Sequence, residues 1–189
     1  MDVRHVVMAH PMRAEWAHGL ADTLRCPVVW DRGRGVWDTG RRALLSVAGE
    51  NGWGVVVQDD TILTSGFALK VRTFLEDAPA GPVAFYAGSR ARRHTRRLDV
   101  RRRGWYTAAG PTWGVAVATP ADRIRGMVEW CDQLDIPNYD LRMRDYWQHL
   151  QVDCVYSVPC LADHRPVREN PSLADTTRTA DRRAAWFRP

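Results

Sequence analysis

Short strand-like runs alternate along this chain with segments whose apolar residues recur at helical spacing. Residues 3–9 read as a buried strand, closed by His10-Pro11, because proline cannot donate to a ladder. Within 13–24, Trp16, Ala17, Leu20, Ala21 and Leu24 fall on one face of a helix. Residues 27–31 form a second short strand ending in Asp31, and 32–35 a glycine-containing turn. A helix is predicted over 39–48, a strand over 53–58, a helix over 67–75 and a strand over 83–86. Later, 112–118 reads as a strand. Thr119-Pro120-Ala121-Asp122 then reads as a helix start, with threonine at the N-cap, proline in the first position and an acid in the first turn. That helix is expected to reach residue 134, Ile136-Pro137 separates it from another over 139–150, and 154–158 is the last strand.

This alternation predicts an α/β fold: one domain with a mixed, mostly parallel sheet and helices on both faces. The boundaries follow as a domain over 1–165 and a polar C-terminal tail over 166–189, expected on the surface. At 189 residues the chain suffices for one domain with a sizeable core. It has no apolar stretch of about 18 residues, so no membrane insertion is expected. No secretory signal opens it, and Cys26, Cys131, Cys154 and Cys160 form no close pair, so a reducing cytoplasm is the expected compartment. Cys154, Cys160 and His164 match no zinc spacing and read as structural.

The strongest chemical signal is Gly54-Val55-Val56-Val57-Gln58-Asp59-Asp60. A fully apolar strand delivers two adjacent carboxylates to the sheet edge where ligands of open α/β sheets bind. Two ionised carboxylates repel, and a divalent cation with oxygen ligands relieves the conflict. Such a cation can bridge to a diphosphate. The plainer alternative is a strand-end turn or helix cap. His10 and Arg13 after the first strand and Asp31 after the second would share that edge, as a nucleotide site requires.

Charge is concentrated in one place. Between Arg90 and Arg103 stand eight arginines against one acid, Asp99, while the whole chain is only +5. With Lys70 the single lysine, the arginine bias is general, but the cluster is not. It suits either a solvated loop or a polyanion-binding stretch.

Taken in order, these motifs resemble the GT-A glycosyltransferases, in particular small phage and bacterial members related to the glycosyltransferase 25 (LPS-type) group. The residues that carry the resemblance are Val7-Met8-Ala9-His10-Pro11-Met12-Arg13, Val29-Trp30-Asp31, Trp37-Asp38-Thr39-Gly40-Arg41-Arg42-Ala43, Val56-Val57-Gln58-Asp59-Asp60, Pro111-Thr112-Trp113-Gly114-Val115-Ala116-Val117, Tyr139-Asp140 and Leu161-Ala162-Asp163-His164-Arg165 with Pro171-Ser172-Leu173. Gln58 stands before the acid pair where the family commonly carries glutamate. The resemblance implies a GT-A-like, Rossmann-like fold, a nucleotide-sugar such as a UDP-sugar as donor, and Mn²⁺ or Mg²⁺ as cofactor. It implies Asp60 and His164 as metal ligands. His10, Arg13, Asp31, Asp38, Arg42, Asp59 and Trp113 would lie at the nucleotide-sugar. Asp140 would be the general base that takes the acceptor's proton. Without the resemblance, His164 reads equally as a hydrogen-bonded turn histidine and Asp140 as a first-turn acid favoured by the helix dipole.

In such enzymes the position of the basic segment, 88–106, faces the acceptor. Arg93, Arg96, Arg97, Arg101 and Arg102 with Trp105 suit a phosphate backbone and a stacking surface. The expected acceptor is a hydroxylated (hydroxymethyl) base in phage DNA. Alternatives are a protein, glycan or small-molecule acceptor, or a non-catalytic nucleic-acid-binding domain. Asp59-Asp60-Thr61-Ile62-Leu63 does not fit the D-x-D-G-T phosphohydrolase pattern, and the zinc-deaminase signature is absent.

Overall fold

A computed structural model describes residues 1–88, 91, 104–111, 113–166, 183–187 and 189. Its elements in chain order are β1 (Val3–Ala9), α1 (Ala14–Leu24), β2 (Val28–Trp30), α2 (Val36–Ser46), β3 (Trp53–Gln58), β4 (Thr61–Leu63), α3 (Phe67–Glu76), β5 (Val83–Ala84), β6 (Trp105–Ala108), β7 (Ala116–Pro120), α4 (Ile124–Cys131), α5 (Tyr139–His149), β8 (Cys154–Ser157) and β9 (Ala162–His164). Seven strands form one sheet in the order β2-β1-β3-β7-β5-β8-β6, and β4 pairs with β9 in a separate two-stranded ribbon. β1 is parallel to β2 and β3, and β5 to β8. β7 runs against both its neighbours, and β6 against β8. Two strands thus oppose the other five, which is the mixed, mostly parallel α/β sheet expected.

Strand alternation divides the core into two layers. Val6, Val56 and Val117 face α2, α4 and α5, meeting Leu44, Met127 and Met143. Val7, Val55 and Val57 face the other way, onto Leu20 of α1 and Val71 and Leu75 of α3. Because β3 is buried on both faces it reads as a continuous apolar run rather than an alternating one.

Two elements differ from the sequence expectation. Helix α4 begins at Ile124, since Thr119 and Pro120 belong to β7, opposite Gly54 and Trp53. β5 pairs with β7 only at Val117 and Ala118, so Pro120 lies past that ladder and its missing N–H leaves no bond there unmade. The strand expected over 112–118 accordingly lies later, at Ala116–Pro120. β4, β6 and β9 were not predicted. Where it is described, the C-terminal stretch is tied to the rest of the chain by backbone contacts. Ala184 bridges Gly88, Phe187 bridges Cys160, the Ala185 N–H donates to the Ala87 carbonyl at 2.7 Å, and Ala185 is fully buried. No helix among the described residues is long and apolar enough to cross a membrane.

Candidate functional site

Because β2, β1 and β3 are parallel neighbours, Asp31, His10 and the acid pair all emerge at one sheet edge. β1 ends in His10, whose Nδ1 accepts from the Met12 N–H at 3.2 Å and so starts a 3-10 turn over Pro11–Arg13. That turn swings Arg13 back over the end of β3. Its Nε lies 2.8 Å from Asp59 Oδ1, and the His10 N–H donates to Asp59 Oδ2 at 2.6 Å. Asp59 is 0% exposed. Burial pushes its carboxyl above the ordinary range, while Arg13 and the His10 amide pull it back. The adjacency read as two acids at one metal therefore resolves differently. Asp59 points into protein and clamps the 10–13 loop, and Arg13 spends its charge on it. Asp59 is enclosed by protein, and its pairing with Arg13 fixes the 10–13 loop over the end of β3.

Asp60 faces the other way. The ribbon places β9 beside β4 with His164 opposite Thr61, and the Arg165 N–H donates to the Asp60 carbonyl at 2.9 Å. His164 Nε2 consequently stands 3.3 Å from Asp60 Oδ2, with the two residues 3% and 6% exposed. Its other ring nitrogen, Nδ1, is 2.8 Å from the Arg165 carbonyl, which orients the imidazole. Asp163 fixes the ribbon from behind. It accepts from the His164 N–H at 2.9 Å and the Ala184 N–H at 2.7 Å, and pairs with Arg183 at 2.7 Å.

Beside this pair opens a cleft of about 120 Å³ bounded by Gln58, Trp113, Tyr139, Asp140 and His164. Asp140 sits in the first turn of α5, where the helix dipole favours an acid, and one of its oxygens accepts from the Leu141 N–H at 2.9 Å. Trp113 packs edge-on against Tyr86 and Tyr156. Tyr139 stands in the Tyr139-Asp140 motif, but the motif assigns it no role of its own. Its hydroxyl donates to the Gly114 carbonyl, and the Gln58 side chain hydrogen-bonds it as well. Burial pushes the phenol well above its usual range, with the charges of Asp140 and Asp60 adding to the effect. Gly40 and Gly114 make room for the ring, since a Cβ would come within 2.8 Å of it at Gly40 and 2.5 Å at Gly114. The small residues were the available signal, but nothing in the sequence says which ring they receive.

Asp31 and its neighbours are placed at the same edge. Asp31 Oδ1 accepts from the Gly33 N–H at 2.9 Å and the Thr39 hydroxyl at 3.2 Å, and Oδ2 lies 4.0 Å from His10 Nε2. Gly35, at φ +93°, turns the chain into α2. On α2, Asp38 and Arg42 pair with each other at 2.9 Å, and Arg42 also donates to the Trp30 carbonyl at 2.8 Å, tying α2 to β2. Trp105 begins β6 at the far edge of the sheet, half-buried. Arg93, Arg96, Arg97, Arg101 and Arg102 lie outside the described residues, as do Thr112 and 171–173.

Among the described residues no three His, Cys, Asp or Glu side chains group as a ligand set. Asp60 and His164 offer one carboxylate and one imidazole. A Mg²⁺ or Mn²⁺ ion taking one or two protein ligands, with substrate phosphate and water for the rest, fits that donor pair.

No protein-family model matches the chain, and no curated protein matches it. Among solved structures it is similar to a nucleotidyl transferase from Methanothermobacter thermautotroptrophicus, with 12% identity and a TM-score of 0.47, over 80% of this chain and 62% of that one. It is also similar to the apo form of mouse xyloside xylosyltransferase 1, with 10% identity and a TM-score of 0.37, over 80% of this chain and 82% of that one. The chain thus spans less than two thirds of the first of these.

Proposed function

We propose that this chain is a divalent-metal-dependent glycosyltransferase of GT-A-like, Rossmann-like design, moving a sugar from a nucleotide-sugar to a hydroxyl acceptor. The observation that carries the reading is the meeting of Asp60 with His164 beside a cleft that also holds Asp140. Asp60 Oδ2 and His164 Nε2 would hold the ion, and Asp59 with Arg13 would keep the loop behind it rigid. His10 and Asp31, at the ends of β1 and β2, would flank the nucleoside. Trp113 offers a flat apolar wall to the sugar. Bound there, Mn²⁺ or Mg²⁺ would neutralise charge on the departing diphosphate. Asp140 would accept the proton of the acceptor hydroxyl as its oxygen bonds to the anomeric carbon, while the bond to the diphosphate breaks and the electron pair leaves with it.

For the acceptor we favour a hydroxylated base in DNA. The arginines of 90–103 supply phosphate contacts, and Trp105 follows them in sequence. The donor half of the proposal is tested by screening nucleotide-sugars for thermal stabilisation and slow hydrolysis with and without Mn²⁺, on the native chain and Asp60→Ala. One donor that stabilises in a metal-dependent way, with no effect on the variant, is the expected result. A protein that ignores every donor and metal but binds DNA would instead be the non-catalytic binding domain.

A further inference from the structure

A larger groove of about 680 Å³, lined by none of the residues that bound the cleft, runs between α1 and the turn leading into α3. Its features are Trp16 and Gly19 on α1, Thr64 and Ser65 on the turn, and Arg165 from the end of the ribbon. The Arg165 guanidinium lies over the Trp16 ring, 4.6 Å from its centroid. Its Nε is shielded from solvent without a hydrogen-bond acceptor, and no carboxylate of the described residues pairs with it. Lys70, outside the groove's lining, donates to Thr64 Oγ1 at 3.1 Å. Glu15 is the one acidic lining residue, exposed at the rim. The groove is roomy, and Arg165 is the one basic residue among those described in its lining. Gly19 keeps it open, since a Cβ there would meet nothing within 4 Å.

The geometry points to this groove as a binding site for a small anionic ligand, with Arg165 taking a phosphate or carboxylate group and the space over Gly19 holding the body that carries it. A planar guanidinium already stacked on an indole is preorganised for a two-pronged contact with such a group. A cation stacked on an indole face can still hydrogen-bond in its own plane through its terminal nitrogens. The site stands apart from the transferase reading. It is linked to it through the backbone, because the Arg165 N–H holds the Asp60 carbonyl.

The test uses the full-length chain in EDTA at constant ionic strength, with chloride as the reference anion. Glucose 1-phosphate, inorganic phosphate and succinate are titrated, and binding is read by calorimetry and by the shift in thermal unfolding midpoint. Either phosphate or carboxylate binding supports the site, and the two arms tell which group it takes. The expected result is that glucose 1-phosphate binds more tightly than inorganic phosphate. Arg165→Gln is expected to weaken binding by about tenfold or more, and Gly19→Trp, which fills the groove, to block it. Asp60→Asn is expected to leave it unchanged, so failure here is distinct from failure of the donor site. Gly19→Trp decides the matter alone if Arg165→Gln does not fold. Overturning results are no anion binding above chloride, binding undiminished in Gly19→Trp, or binding lost in Asp60→Asn.

Discussion

His164 Nε2 stands 3.3 Å from Asp60 Oδ2, and the ribbon of β4 with β9 is what brings these two residues, distant in sequence, into contact. Asp163 holds that ribbon to the C-terminal stretch. Replacing it with alanine removes the acceptor for two backbone N–H groups and the partner of Arg183. Each orphaned buried donor costs about 1–3 kcal/mol. Asp163→Ala is therefore expected to lose at least about 2 kcal/mol in urea unfolding. A variant as stable as the parent would show that the C-terminal stretch contributes nothing to the ribbon.

Two helical glycines should respond to alanine with opposite signs. Gly19, on α1, faces open space, so Gly19→Ala should gain up to about 1 kcal/mol from helix propensity and a less flexible unfolded chain. Gly40, on α2, lies against Tyr139, where the new Cβ would come within 2.7 Å of the tyrosine's own Cβ. Overpacking of this kind costs about 1–3 kcal/mol and outweighs the propensity gain. Chemical denaturation of the two single variants settles the contrast, and equal signs would refute it.

The Arg13–Asp59 pair is buried on the Asp59 side, so removing one partner leaves an uncompensated charge. Arg13→Ala is expected to destabilise by about 3 kcal/mol or more. Arg13→Ala with Asp59→Asn together should recover part of that loss. A double variant no better than Arg13→Ala would mean the cost lies elsewhere.

His5 gives the fold a pH dependence. It packs edge-on to Phe67 on the α1/α3 side of β1, its Nε2 is shielded without a partner, and burial holds its pKa below the ordinary 6.5. In the unfolded chain it takes up a proton as pH falls through about 6.5, whereas the folded chain resists until lower pH. Its contribution to stability is thus intact above that pH and declines below it. Urea midpoints at about pH 7.5 and about pH 5.5 should drop for the native chain and drop less for His5→Leu. An identical drop in both would assign the pH dependence to other groups.

Much of the fold was legible because its signals are local. Val55-Val56-Val57 announces a strand buried on both faces, and Leu20 with Leu24 announces the buried stripe of α1. The parallel β2-β1-β3 edge followed from strand–helix alternation. What stayed hidden depends on partners distant in sequence. β4 and β9 are three residues each, too short for any period to show, and they exist because they pair with each other. Thr119-Pro120 carried a convincing helix start, yet a cap contributes about 1 kcal/mol and the ladder beside β3 outweighed it. At the site, only the resemblance told the adjacent acids apart, with Asp60 at the metal and Asp59 at the nucleotide-sugar. The alternation of side chains past the end of β3, together with Arg13 returning over it, sends Asp59 inward and Asp60 toward His164.

The most direct test of the account is whether Asp60 and His164 together hold a divalent ion with a nucleoside diphosphate. Electron paramagnetic resonance of Mn²⁺ reads this without turnover. Titrating the native chain with Mn²⁺ and UDP should deplete the free-ion signal beyond what UDP alone does, and Asp60→Asn and His164→Ala, each still folded, should abolish the excess. Depletion of equal size in the native chain and both variants would place the ion elsewhere and leave the pair a structural hydrogen bond.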